Sequence, residues 1–170
     1  MSQNALIRER SRAFPPVLWL ILSCALILVD RISKALVYKQ MYLDEDIPIL
    51  GKYLHFYYLS NKGAAFSLLQ DYDWGRILFI VLTVLFIIVC IWALVSGHIS
   101  WRAGRIALAF VIGGGIGNLI DRIFYGEVID FIYIAILHFA VFNLADAFVV
   151  IGVCLFCLSY LLKGQRSSTV

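Results

Sequence analysis

The amino-acid sequence predicts an all-α membrane protein with four transmembrane helices. Of its 170 residues, 62% are hydrophobic and only 15% are charged, and the mean hydropathy is +0.91. A soluble domain would carry about 25% charged residues. Four spans of about 20 residues each would use roughly half of the chain. We therefore expect residues 1–170 to form one integral-membrane domain. The small net charge of +3, without a basic stripe, argues against a nucleic-acid partner.

The four predicted spans are stretches of the sequence with few charged residues. They cover about residues 14–34, 76–97, 103–123 and 142–162. The second of these is the most apolar, because it holds no charged residue from position 77 onward. Charged residues in the other three lie about one turn inside a span end, where a wet cavity can accommodate them.

The distribution of basic residues predicts the orientation of the spans. With four spans, the N-terminus, the turn at 98–102 and the C-terminus lie on the same side of the membrane. Their short segments carry seven Lys or Arg residues and one acid, Glu9. The positive-inside rule therefore places both termini in the cytoplasm. The long loop at about 35–75 is then extracytoplasmic.

That loop contains a segment with the composition of a β-strand. Lys52 to Ser60 is rich in Tyr and Phe, and Asn61-Lys62-Gly63 follows as a turn signal. A small sheet at the membrane surface and a plain membrane-proximal loop are both compatible with this composition.

Polar residues of different spans converge on the outer side of the predicted bundle. They lie near the outer end of the first span, the outer end of the third, the connection that follows and the start of the fourth. In that order they are Asp30 and Lys34; Asn118, Asp121 and Arg122; Asp130; Asn143 and Asp146. A glycine-rich stretch at 113–117 precedes the third-span residues, and it predicts close packing of another helix, of this chain or of a substrate.

The spacing of these residues separates structural acids from candidate catalytic acids. Asp30 and Lys34 stand at i and i+4, and we expect them to form a structural pair. Asp121 has Arg122 beside it, and we expect that cation to compensate its charge. Asp130 and Asp146 have no adjacent base, so they are the better candidates for a chemical pair.

Two carboxylates that share a site of low dielectric constant cannot both ionise easily, so one of them keeps a proton. The ionised carboxyl can take a proton from water while the protonated one donates to a carbonyl oxygen, which permits peptide hydrolysis without a metal.

A metal site formed by Asp130, His138 and Asp146 matches no known ligand spacing. A proton or ion pathway lined by Asp30, Asp121 and Asp146 is the alternative function, but the middle of every span is apolar.

Five motifs in order make the sequence resemble the bacterial lipoprotein signal peptidases, also called signal peptidase II. They are DRISK at 30–34, NKGAAFS at 61–67, GGGIGNLIDR at 113–122, VIDF at 128–131 and FNLAD at 142–146. The resemblance covers about residues 14–162. The sequence departs from the family pattern at Arg31, where Gln is common, and at Gly115, where Ala is common.

The resemblance implies an aspartic endopeptidase of the bacterial inner membrane. Such an enzyme cleaves diacylglyceryl-modified prolipoproteins immediately before the lipidated cysteine, on the extracytoplasmic side, with no cofactor. Membrane lipids and the lipid-modified signal peptide are the implied partners, and the oligomeric state stays open. The implied fold adds a small β-cradle and a short periplasmic helix to the four spans. The motifs assign catalysis to Asp130 and Asp146, and support or substrate contact to Asp30, Lys34, Asn61, Gly63, Asn118, Asp121, Arg122 and Asn143.

Overall fold

A computed structural model of the chain describes residues 15–63, 73–137 and 139–167. In these ranges the chain forms four long α-helices and three strands, and a short 3₁₀ turn, Ala135–Leu137, follows the last strand. In chain order the elements are α1 (Pro16–Gln40), β1 (Asp46–Leu50), β2 (Leu54–Asn61), α2 (Asp73–Val95), α3 (Arg102–Phe124), β3 (Val128–Ile134) and α4 (Leu144–Ser167). The predicted mostly helical class is thus confirmed, and so is the presence of a small sheet.

Three of the helices are long and apolar enough to cross a membrane. By length and composition these are Trp74–Val95 in α2, Arg102–Phe124 in α3 and Leu144–Lys163 in α4. The remaining long helix, α1, has 25 residues and begins with Pro16 in its first turn, where proline costs no hydrogen bond. The four helices lie close to the four predicted spans, although three of them, and not four, are candidate membrane helices among the described residues.

The first helix is longer than the sequence predicts. It continues to Gln40 instead of ending near residue 34, so the connection to the next span begins at residue 41 and not at 35. The extra turns are stabilised by packing, because Val37 lies in a buried cluster with Tyr58 of β2 and Phe131 of β3. This cluster joins the end of α1 to the sheet.

Helix α3 lies at the centre of the bundle and packs against α1, α2 and α4. Its glycines make these approaches possible. A Cβ atom added at Gly113 would lie 2.8 Å from Cβ of Leu26 on α1, and one added at Gly114 would lie 2.2 Å from the carbonyl oxygen of Ala145 on α4. The glycine-rich stretch therefore packs against helices of this chain.

The three strands form an antiparallel sheet in the order β1-β2-β3. The predicted strand at Lys52 to Ser60 corresponds to β2, and Asn61 accepts a hydrogen bond from the backbone N–H of Gly63 at 2.9 Å in the turn after it. The short helix expected in this loop is not found within residues 41–63, and residues 64–72 lie outside the described part. Strand β3 packs against α1 and α3, so the sheet lies at one end of the bundle.

Candidate active site

Asp130 lies in the middle of β3 and is held by two amide side chains. Its Oδ2 accepts a hydrogen bond from Nδ2 of Asn61 at 2.8 Å, and its Oδ1 accepts one from Nδ2 of Asn143 at 2.6 Å. Asn61 reaches it because β2 pairs with β3 in a register that places Asn61 opposite Val128, diagonal to Asp130. The carboxyl group is almost completely buried, with 2% of the residue exposed.

Asp146 is fixed at the start of α4 by a reciprocal helix cap. Asn143 precedes the helix, and its Oδ1 accepts from the backbone N–H of Asp146 at 3.0 Å. In return, Oδ2 of Asp146 accepts from the backbone N–H of Asn143 at 3.1 Å. This is the capping-box arrangement, with Asp in place of the usual Glu. The other oxygen, Oδ1, accepts from Nδ2 of Asn118 on α3 at 2.7 Å.

Asn143 therefore connects the two candidate catalytic acids. Its Nδ2 donates both to Asp130 and, at 3.0 Å, to Oδ1 of Asn118, while its backbone N–H donates to Asp146. Asn143 is completely buried. Asn143 and Asp146 are three residues apart, and the structure makes Asn143 the cap that precedes the helix.

The environment of Asp130 raises the pKa of its carboxyl group to about 7. Burial is the largest cause, because it disfavours the charged form, and the negative charge of Asp146 adds to it. Hydrogen bonds from Asn61 and Asn143, with the charge of Lys34, act in the opposite direction. The carboxyl group of Asp130 therefore titrates near neutral pH.

A second group of charged residues lies beside this pair and is completely buried. The ammonium group of Lys34 contacts Oδ2 of Asp30 at 3.0 Å and Oδ2 of Asp121 at 2.8 Å. It also donates to Oδ1 of Asn118 at 2.8 Å. Asp30 in turn accepts from the backbone N–H of Ala145, in the first turn of α4, at 3.1 Å. The expected Asp30–Lys34 pair is present, and it also links α1 to α3 and α4.

The expected pairing of Asp121 with Arg122 is wrong. Asp121 pairs with Lys34 and with Arg31, both on α1. Arg122 instead lies above the ring of Phe79 at 5.8 Å, and its nearest described polar partner outside its own helix is the carbonyl oxygen of Gly63 at 3.4 Å. Consecutive helical residues point about 100° apart, so adjacency in sequence did not predict the partner.

A cleft of about 580 Å³ opens beside the two candidate catalytic acids. Its polar end is formed by Asn61, Arg122, Asp130 and Asp146. Its longer apolar wall comes from β3, from the connection after β3 and from one side of α4. These apolar residues are Val128, Ile134, Leu137, Phe139, Val141, Phe142, Val150 and Ile151. The cleft can hold an extended apolar chain with one polar group at the acids.

Among the described residues, no three or more His, Cys, Asp or Glu side chains are grouped so that they could hold a metal ion. The metal site considered from the sequence depends on His138, which lies outside the described residues. A buried and a half-buried carboxyl group joined by amide groups, at one end of a bundle of membrane helices, are typical of an integral-membrane aspartic peptidase.

Comparisons with known proteins identify the family within this class. The family described as "Signal peptidase (SPase) II" matches residues 22–162. A lipoprotein signal peptidase of Brevibacillus brevis is 36% identical over 151 residues, which are 88% of this chain and 99% of the relative. One of Shouchella clausii is 40% identical over 146 residues, 86% of this chain and 94% of the relative. The chain therefore belongs to the signal peptidase II family, and it is a membrane protease.

Solved structures support the same fold. One, described as a bacterial membrane enzyme solved by the in meso method, aligns with a TM-score of 0.79 and covers 87% of this chain and 90% of its own. A second, similarly described, has a TM-score of 0.73 and covers 84% of this chain and 92% of its own. Both are 24% identical to this chain, and the likeness is one of fold.

Proposed function

We propose that this protein removes signal peptides from diacylglyceryl-modified prolipoproteins, immediately before the lipidated cysteine, with water activated between Asp130 and Asp146. Membership in the signal peptidase II family supplies the reaction class, an aspartic peptidase that acts on lipoprotein signal peptides. The observation that carries the residue assignment is the shared contact with Asn143, which donates to Asp130 and caps the helix at Asp146.

In the proposed reaction the two carboxyl groups share one proton near neutral pH. The ionised carboxylate removes a proton from water as the water oxygen bonds to the scissile carbonyl carbon. The protonated carboxyl gives its proton to the carbonyl oxygen, and a neutral tetrahedral diol forms. When the C–N bond breaks, the protonated carboxyl gives its proton to the leaving nitrogen, while the ionised carboxylate takes the proton of one diol hydroxyl, whose oxygen becomes the carbonyl of the new acid. The pair then again holds one proton. Such a pair titrates as a unit.

The cleft gives the substrate a place that suits its chemistry. Its apolar wall includes Val150 and Ile151 of α4, which are 60% and 49% exposed and so remain free to contact lipid or a substrate chain. We propose that the apolar part of the signal peptide approaches laterally along this wall. The scissile bond then reaches the polar end, after the substrate helix unwinds there.

The proposed placement in the membrane has α1 as the fourth span. A helix of 25 residues has a length of about 37 Å, sufficient for the hydrocarbon core. Leu18, Ile21 and Leu28 on α1 are exposed apolar side chains that could face lipid. With four spans, the excess of basic residues around both chain ends favours cytoplasmic termini. The site then lies near the extracytoplasmic face of the bacterial inner membrane.

A gel-shift assay tests the residue assignment. Purified protein is mixed with a diacylglyceryl-modified prolipoprotein, and wild type is compared with Asp130→Asn and Asp146→Asn. We expect turnover to fall by at least about a thousandfold in both variants, because neither can share the proton. Glu127→Gln is the matched control, since it neutralises an acid three residues before Asp130 and should retain turnover. Full activity in either Asn variant would refute the assignment.

Two further arms of that assay separate the alternatives. Addition of a chelator should leave wild-type turnover unchanged, whereas its loss would indicate a metal-dependent reaction. Reconstitution into vesicles with a pH-sensitive dye tests the pathway alternative. Proton passage that depends on Asp146, in protein that cannot cleave the lipidated precursor, would favour the pathway over the peptidase.

A further inference from the structure

Arg31 connects the solvent-accessible edge of α1 to the buried polar network. Its guanidinium pairs with Oδ1 of Asp121, which is completely buried, while 24% of the Arg31 side chain is exposed. Lys34, one turn further along α1, contacts the other oxygen of the same carboxylate. Asp121 is therefore held between two cations of one helix.

Because Arg31 pairs with Oδ1 of Asp121, Lys34 contacts only Oδ2 of that carboxylate and remains available to other partners. An ammonium group has three N–H donors. In this site the ammonium group donates a hydrogen bond to Oδ1 of Asn118 and forms ion pairs with Oδ2 of Asp30 and Oδ2 of Asp121. Because Oδ1 of Asn118 faces Lys34, its Nδ2 faces Asp146 and donates to it. A continuous series of contacts thus runs from Arg31 through Asp121, Lys34 and Asn118 to Asp146.

The charges of the site balance only when Arg31 is counted. The charged groups that face the catalytic pair or one another come from α1, α3, β3 and α4. The carboxylates are Asp30, Asp121, Asp130 and Asp146, and the cations are Arg31, Lys34 and Arg122. Among the described residues of the site, four negative and three positive charges leave one excess negative charge, which a single proton on the pair neutralises. Without Arg31, a second proton would be required for neutrality.

We propose that Arg31 is a positioning residue of the peptidase, which acts through Asp121 and Lys34 to orient Asn118 toward Asp146 and to set the pH range in which the carboxyl pair works. The inference rests on the proposed function. Arg31 does not line the cleft beside the acids. Its effect should therefore appear in kcat and in the pH profile, and not in KM.

The experiment compares the pH dependence of kcat for wild type, Arg31→Gln and Arg31→Lys in detergent, with the lipidated precursor as substrate. In Arg31→Gln we expect kcat at pH 7 to fall about three- to tenfold, with KM unchanged. The basic limb of the profile should move to higher pH by about half a unit or more, because the excess negative charge favours the protonated pair. Arg31→Lys should restore the wild-type limb.

Two further variants separate electrostatics from folding. Lys39→Gln removes the same charge from an exposed position eight residues along α1, and its profile should match that of wild type. The double variant Arg31→Gln/Asp121→Asn restores the charge balance, so its basic limb should return toward the wild-type pH even if its kcat is low. A lower melting temperature for Arg31→Gln with unchanged limbs would overturn the proposal and leave Arg31 only a structural ion pair.

The proposed function and this inference fail in different ways. If Asp130→Asn cleaves the precursor at the wild-type rate, the catalytic assignment fails whatever Arg31 does. If Asp130→Asn is inactive and Arg31→Gln has the wild-type pH profile, the inference alone is refuted.

Discussion

Replacement of Asn143 by Ser tests the link between the two carboxyl groups. Ser is a good helix cap, so its hydroxyl can accept from the backbone N–H of Asp146 as Asn143 does at 3.0 Å. It has no amide to donate to Asp130, where Asn143 donates at 2.6 Å. Asn143→Ser therefore removes the contact with one acid and keeps the contact with the other.

The size of the effect follows from that lost hydrogen bond. A hydrogen bond to a charged group contributes about 1.5–3 kcal/mol, and one pKa unit corresponds to about 1.4 kcal/mol. The bond favours the ionised carboxylate, so its loss should raise the pKa of Asp130 above its value of about 7 by roughly 1–2 units. The basic limb of the kcat profile should move up by the same amount. We expect kcat itself to fall about tenfold, because Asp130 loses one of its two positioning donors.

The measurement is a pH–rate profile with the lipidated precursor, together with thermal unfolding in detergent. Asn143→Ala is the companion variant, since it also removes the cap and should lose about 1 kcal/mol more of stability than Asn143→Ser. A wild-type profile for Asn143→Ser would refute the reasoning that Asn143 couples the pair.

Three further predictions concern the burial of Asp130, the packing of helix α3 and the contact between Asn61 and Asp130. The pKa of Asp130, about 7 in the folded chain against 3.8 for a free Asp, means that the folded state binds more protons between about pH 4 and 7. The free energy of unfolding should thus fall as pH rises through that window, by up to about 4 kcal/mol. The melting temperature of Asp130→Asn should depend less on pH than that of wild type. Equal pH dependence of the two melting temperatures would contradict this prediction. Gly114→Ala should lower the melting temperature by several degrees, since its Cβ would lie 2.2 Å from a backbone oxygen, whereas Gly115→Ala, with 3.4 Å to its nearest neighbour, should not; similar melting of both would argue against close packing. Asn61→Ala should reduce kcat about tenfold through the lost donor to Asp130, and Lys62→Ala, at an exposed neighbour, should leave the rate intact.

The sequence predicts well that polar residues gather at one end of the bundle. The number of spans alone decides on which side of the membrane each span end lies, so no knowledge of side-chain contacts is needed. Asp30, Asp121 and Asp146 lie near ends of predicted spans that must meet on one side, and the structure joins these residues through Lys34, Asn118 and Ala145. Helical length is predicted less well. The hydropathy pattern ends the first predicted span near residue 34, but helix α1 continues beyond it. The continuation is stabilised because Val37 packs with residues of β2 and β3, which are distant in sequence.

Hydropathy and the number of spans do not predict which charged side chains form ion pairs. Arg31 and Arg122 each stand next to an Asp in sequence, and neither pairs with that neighbour in the structure; Arg31 crosses to Asp121 on α3. The pairing depends on the rotation of α1 against α3, which the glycines set through contacts between helices. One local signal was available for Asn143, since Asn143-x-x-Asp146 before an apolar run matches a capping box.

The choice of neutral donors around Asp130 has a chemical reason. A Lys or Arg in direct contact with a carboxylate lowers its pKa by about 1–3 units, which would leave Asp130 ionised at neutral pH. Asn61 and Asn143 orient Asp130 without adding a full charge, and burial with the nearby Asp146 then keeps its pKa at about 7. The cations Lys34 and Arg31 contact Asp30 and Asp121 instead, one step away. This arrangement compensates the buried charges while the pair retains the proton that the proposed reaction needs.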